Sequence, residues 1–427
     1  MRRADPPQAQ AQAQAQERRC LPRPRRWHVA VGGLCCVWSA LGLAHDPSEP
    51  LLPDSPGVKL GAAIAWSWMD ARHPLPASRL PGVLLTGAAA DDRNGSGLEH
   101  GVLSAGLRPV EWLGVQAAVG WHDEGSAHVE SAWVEAHRTL EGGQLRLGAG
   151  RNALPIGDVM LAPGEFDLFG LQALAKRAAF DGSWIDDGVN LSWQGFDRWQ
   201  LRADAGLWHT SKFPAASEAT WSPMFHLGAT FGAVQVDGFV ARVRAPRRGS
   251  FLALSENAHS HGAPSCDKSL FEVACFEGHG NLAGVSARWH AASLPVEVSA
   301  AVLTRRERGD LYAINGSARY RSHVNGGWAD VRWAPSERWE LGLRAERVTA
   351  SNRLAGSGAS LLARDTGLMQ DGGPAQRLSA ALRWAPLPSL PTLQFTLEAG
   401  RERVGGQHNP YAMLRLLWRG DFERGLP

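Results

Sequence analysis

Aliphatic and charged residues alternate with period two, tryptophans gather at the ends of the alternating segments, and short turns exchange with long polar gaps. Together these predict an all-β chain: an antiparallel transmembrane β-barrel of about sixteen strands, with long extracellular loops and short periplasmic turns.

Composition narrows the class. The 427 residues carry a net charge of +2 and 20% charged side chains, and mean hydropathy is −0.22, so bulk charge favours no partner. No basic patch points to nucleic acid. After the leader no run reaches about 18 apolar residues, which excludes a helical membrane protein. Glycine (48) and tryptophan (18, against 3 tyrosines) are in excess. A barrel crossing a bilayer uses that mixture, with small residues facing lipid and amphipathic aromatics where headgroups begin.

The first element is a leader. Residues 1–16 are a low-complexity tract rich in Ala-Gln repeats, followed by Arg18, Arg19, Arg23, Arg25 and Arg26, an apolar run from Val29 to Leu43, and the small-residue ending Gly42-Leu43-Ala44. That order predicts a signal peptide cleaved near Ala44, with His45 as the mature start. A membrane anchor is the weaker reading, because about fifteen residues are too few to span. Removing 1–44 turns the net charge to −3. Cys20, Cys35 and Cys36 leave with the leader; Leu34 before Cys35 is not the small residue a lipoprotein needs. Cys266 and Cys275 remain, a pair nine positions apart that an oxidising compartment should join. Residues 45–56 follow as a short periplasmic segment, too short for a plug domain. The barrel is expected over 57–419, and 420–427 as a tail.

Within the barrel, Trp199, Leu201, Ala203, Ala205 and Leu207 alternate with Gln200, Arg202, Asp204 and Gly206. Trp339, Leu341, Leu343 and Ala345 alternate with Glu340, Gly342, Arg344 and Glu346 in the same way. Pro109, Pro335 and Pro386 end strands, since proline cannot donate to a ladder. Trp112 and Trp339 restart two of them. With these turns periplasmic, the strands read 57–69, 98–108, 111–122, 127–139, 143–151, 187–194, 198–209, 222–232, 234–244, 281–290, 295–305, 327–335, 338–350, 376–385, 391–403 and 410–419. The long gaps between them are 70–97, 152–186, 210–221, 245–280, 306–326 and 351–375. Segments 82–90 and 311–320 could add strands, giving eighteen. A soluble β-sandwich is the competing fold, because it too alternates. Strand length and Trp at strand ends favour the barrel.

Two stretches carry a family likeness. Gly150-Arg151-Asn152-Ala153-Leu154-Pro155-Ile156-Gly157 closes one strand, and Asp186-Asp187-Gly188-Val189 opens the next. They resemble elements of phosphate-selective-porin-like outer-membrane barrels, including uncharacterised relatives. The resemblance implies a sixteen-stranded porin fold, commonly trimeric, with an inward loop that constricts the channel. Here that loop would be 152–186, carrying Glu165, Asp167, Lys176, Arg177, Asp181 and Asp186. The end of the chain lacks the terminal aromatic usual in such barrels. There is no dense Arg/Lys ladder either, so phosphate selectivity does not carry over.

Parity places Lys59, Arg146, Arg202, Arg288, Arg332, Arg344, Arg383 and Arg415 on the inward face as candidate pore-lining groups, with Asp204, Asp330, Glu340, Glu346 and Glu398 among them. Either the arginines concentrate anions in a narrow lumen, or they pair with the acids and stiffen the wall. His259, His261 and His279, near the cysteine pair, are candidate metal ligands on the outer surface; the favoured reading is a solvated loop with scattered histidines. His122, Asp123 and Ser126 meet at a short turn, as polar loops do by chance. No Gly-x-Ser-x-Gly elbow, His-Glu-x-x-His motif or phosphate loop occurs, so neither an enzyme nor a cofactor is expected. The sequence thus predicts an outer-membrane porin passing small hydrophilic solutes. The alternatives are a barrel that binds a metal or partner through loop 245–280, and a structural barrel with a closed interior.

Overall fold

In a computed structural model the alternating segments close into one wall. The structure describes residues 52–73, 80–87, 94–122, 127–162, 166–196, 198–252, 264–267, 270–369, 373–387, 389–390, 392–426. The leader 1–44 and residues 45–51 fall outside these. Around the barrel run β1 (Gly57–Ala71), β2 (Gly95–Val110), β3 (Leu113–Trp121), β4 (His128–Leu140), β5 (Gly143–Ala153), β6 (Ile185–Gly195), β7 (Arg202–Thr210) and β8 (Ser217–Phe231). The second half is β9 (Val234–Phe251), β10 (Val273–His290), β11 (Val296–Ala313), β12 (Gly316–Ser336), β13 (Trp339–Ala355), β14 (Ala375–Trp384), β15 (Leu393–Val404) and β16 (Gln407–Gly425). Each strand pairs with its neighbours in sequence, and β16 pairs with β1, so no edge is left open.

Alternation decides what faces where. On β13, Gly342, Arg344, Glu346 and Val348 are buried, while Leu341 and Leu343 are exposed. Trp112, Trp289, Trp333, Trp339 and Trp384 stand outward near the turns that join β2–β3, β10–β11, β12–β13 and β14–β15. At the opposite rim β15 and β16 are joined by Gly405-Gly406, both at positive φ (58° and 76°). A two-residue hairpin loop of this kind needs that conformation at both central positions.

Several boundaries differ from the sequence reading, most clearly in the β11–β12 hairpin, where alternation persists although neither face is aliphatic. The expected gap 306–326 is instead the tall end of the β11–β12 hairpin, turning at Ile314-Asn315. The segment 311–320 therefore lengthens two strands and adds none. Gap 245–280 shrinks because β9 runs to Phe251 and β10 starts at Val273, and the expected tail 420–427 is largely β16, whose Gly425 pairs with Gly57. Segment 82–90 forms no strand over its described residues 82–87. Among the described residues the count is sixteen. The disulfide joins Cys266 to Cys275.

The barrel is not hollow. The β5–β6 connection carries α1 (Asp158–Leu161) and α2 (Leu174–Phe180); α2 packs on the inner faces of β11 to β14. Leu80, Val83, Leu84 and Leu85 from the β1–β2 connection enter the same apolar core. Inward Trp133, Trp208, Phe239, Leu303 and Trp328 complete it. A third short helix, α3 (Ala359–Asp365), lies in the β13–β14 connection.

Candidate functional site

The β5–β6 segment is too apolar to stand in water. Phe166, Leu168, Phe169, Leu171, Leu174 and Phe180 are all buried, so the segment folds into the barrel and must satisfy its backbone there. The inner wall supplies the partners. Glu398 accepts from the Gly170 N–H at 2.8 Å, and Glu346 from the Leu174 N–H at 2.6 Å. Arg377 donates to the Gln172 carbonyl at 2.6 Å and Arg415 to the Asp167 carbonyl at 2.9 Å.

Asp167 is the charged centre of this seat. It accepts from Arg332 at 2.7 Å and Arg344 at 3.0 Å, and Arg344 also holds Asp330 through two contacts of 2.7 Å. The Arg344 guanidinium lies 4.3 Å from the centre of the Phe169 ring, a cation–π contact. Burial pushes the Asp167 carboxyl up, but Arg332, Arg344 and Arg383 outweigh it and hold the group well below the ordinary carboxylate range. The β1–β2 segment is seated in a similar way. Arg305 donates to the Leu84 carbonyl at 2.9 Å, and the Thr86 N–H donates to Asp181 at 2.8 Å.

The structure places all eight basic candidates on inward rows, but not all meet open space. Arg344 and Arg415 are sealed (1% and 0% exposed), with Arg415 paired to Glu99 at 2.9 Å. Asp204 is buried as well, 2.8 Å from His226, whose other ring nitrogen is 3.1 Å from Asp237. Lys59 lies 3.7 Å from Asp421, and Arg383 lies 2.9 Å from Glu340. Arg146 donates to Gln144 at 2.6 Å. Arg202 stands between Asp158 (3.8 Å) and Asp204 (3.5 Å), and Arg288 is 3.7 Å from Glu297.

The expected loop charges differ from their sequence reading. Asp167, Lys176 and Asp186 do not project into a lumen; they are buried as anchors. Lys176 donates to the Leu161 carbonyl at 2.8 Å, and Asp186 accepts from the Ser211 N–H and hydroxyl, both at 2.8 Å. Arg177 lies on α2, half-buried, and Asp181 ends that helix. Glu165 lies outside the described residues, as do His259 and His261. His279 is exposed on the outer face of β10, opposite Arg308.

Sequence reasoning missed two donor clusters. His100, His122 and His128 bring ring nitrogens within 4.8 Å of one another, and Glu130 reaches within 2.6 Å of His100. Asp186, Asp187 and His209 form the second. Imidazole and carboxylate together suit a divalent transition metal. The first cluster needed the pairing of three strands, with a bulge between Ala118 and Val119 that brings His128 beside Gly120.

No family model and no curated protein matches the chain. Solved structures do. In vitro folded OmpT, an outer membrane protein of Vibrio cholerae, superposes with a TM-score of 0.51 at 12% identity, covering 87% of this chain and 100% of that one. OmpF of Salmonella typhi, in a complex with daunomycin, gives 0.51 at 10% identity over 85% and 97%. The likeness is one of fold. It shows the closed antiparallel barrel that these outer-membrane proteins also have, and leaves the phosphate-selective family as a resemblance of local motifs.

Proposed function

We propose that this chain is an outer-membrane channel through which small hydrophilic solutes diffuse, along a lumen narrowed by the β5–β6 segment. One observation carries the reading: on the inward face at the turn-side mouth of the barrel, Arg202, Asp158, Arg288 and Glu297 stay partly solvated, with side chains 40%, 51%, 23% and 24% exposed. A wall sealed by its contents would bury or neutralise such ions. Acids and bases mix on this patch, so selectivity by charge is expected to be weak. Export through the leader, assembly as a trimer and the absence of catalysis belong to the same proposal.

A closed structural barrel is the second reading, favoured by the apolar core that Leu84, Phe180, Trp208, Phe239 and Trp328 build inside. Planar-bilayer recording of the purified protein separates the two. The channel reading expects small discrete conductance steps in the wild type and larger ones in Asp167→Asn, whose segment is less firmly seated. Silence in both proteins overturns it in favour of the closed barrel.

A further inference from the structure

The inner and outer arginines are treated differently. Inside, Arg344, Arg377 and Arg415 each have a carboxylate within 3.0 Å. Outside, on the tall strands β9 to β13, arginines stand directly opposite one another. Arg244 pairs in register with His279, His279 with Arg308, Arg308 with Arg321, and Arg321 with Arg353. One step lower, Arg242 and Arg306 flank Asn281, and Arg306 faces His323. Like charges directly opposite on one face of a sheet destabilise it. The chain's own carboxylates beside them, Glu277 opposite Asp310 one step higher, are too few for Arg242, Arg244, Arg306, Arg308, Arg321 and Arg353, so the two rows leave a place for an anion from outside the chain.

Height identifies the source of that anion. On β10 the outward side chains read Trp289, Ala287, Val285, Ala283, Asn281 and His279. Ten residues separate His279 from Trp289, about 25 Å along the barrel axis at ordinary strand rise and tilt, which is the height of an outer-membrane apolar band. With Trp289 at the periplasmic boundary, the arginine row lies at the outer headgroups. Exposed Trp221 lines the same concavity as Arg242 and Arg244, where an interfacial aromatic belongs.

Shape agrees. A concavity of about 670 Å³ on the outer wall is lined by Trp221, Arg242, Arg244, His279 and Arg308, with Glu277 and Asp310 at its upper edge. A second of about 610 Å³ is lined by Phe225, Val240, Leu282 and Ala283, and shares Pro223 and Arg242 with the first. We infer that this two-part groove binds a phosphorylated lipid of the outer leaflet, its headgroup phosphates on the arginine row and an acyl chain in the apolar trough. Guanidinium forks match phosphate oxygens in charge and geometry, and basic side chains at a membrane surface attract anionic lipid. The inference rests on the membrane barrel and not on conduction, since an occluded barrel presents the same wall.

Native mass spectrometry of the detergent-solubilised full chain tests it, titrated in parallel with bis-phosphorylated lipid A, phosphatidylcholine and inorganic phosphate. Lipid A should bind at least roughly tenfold tighter than phosphatidylcholine. The preference should disappear in Arg242→Gln/Arg244→Gln/Arg308→Gln/Arg321→Gln and persist in Arg401→Gln/Arg403→Gln, which lies on β15 away from the groove. Ala283→Trp, which fills the trough and keeps every arginine, should weaken lipid A alone. If the fourfold variant does not fold, the wild type still decides: its preference must fall as salt rises. Equal retention of phosphatidylcholine, an undiminished fourfold variant, or inorganic phosphate competing as well as the lipid would each overturn the inference. A silent channel that still binds lipid A would overturn only the conduction proposal.

Discussion

Asp167 receives Arg332 and Arg344 through its carboxylate while its own carbonyl receives Arg415. Asp167→Asn removes the charge that buried Arg344 and half-buried Arg332 share, both keeping Asp330, a loss of about 1.5–3 kcal/mol in seating the segment, to be read as enlarged conductance and faster protease cleavage between β5 and β6. The carboxyl is held below its ordinary range, so its stabilisation is present above about pH 4 and is lost only as pH falls further, through the depressed value. Conductance should therefore not change through release of this anchor between about pH 5 and 8, which bilayer recordings at stepped pH can check. On the other face, Leu343 is 59% exposed midway between Trp339 and Arg347. Leu343→Arg should cost about 2–4 kcal/mol at the bilayer midplane, measured by urea titration of folding into lipid vesicles. Facing is legible in sequence at this scale because period two is local: Arg202 and Leu343 are assigned by counting along one strand. Their partners are not legible. Asp158 reaches Arg202, and Asp167 reaches Arg332 across 165 positions.

Elements fit one another through glycine and tryptophan pairs. A Cβ on Gly188 would come within 2.4 Å of the Trp208 ring, and one on Gly148 within 2.2 Å of Trp133; the two indoles stack 5.8 Å apart and 3° from parallel. Gly188→Ala must displace Trp208 and should cost about 1–3 kcal/mol, seen as a lowered unfolding temperature. Gly238→Ala, whose nearest neighbour is 3.6 Å away, is the control and should leave that temperature unchanged. The β11–β12 hairpin marks where sequence reading of elements failed. Arg305 and Glu307 face inward and Arg306 and Arg308 outward, so both faces are polar and the pattern resembles a loop. Within the β1–β2 connection, read as a gap, segment 82–90 offers itself as a possible further strand for the opposite reason. Val83, Leu84 and Leu85 are apolar as in a strand, yet they pack into the interior core without joining a ladder.

At the scale of the whole molecule the wall is uneven. Strands of 9 to 13 residues from β3 to β7 face strands of 17 to 21 residues from β9 to β13. The tall side carries the row of facing arginines, and its inner faces receive α2. A long hairpin thus serves two surfaces, seating the inward segment on one face and carrying the proposed lipid site on the other. The proposed channel and the proposed lipid groove both depend on odd-numbered side chains of β13 facing lipid while even-numbered ones face the packed interior. Single cysteines at 341 to 345, labelled with a nitroxide in lipid bilayers, test this directly through accessibility to oxygen, which concentrates in the acyl region. High oxygen accessibility at 341, 343 and 345 with low values at 342 and 344 is the result expected. Uniform accessibility along the strand, or ready access of a water-soluble relaxant to 343, would contradict it.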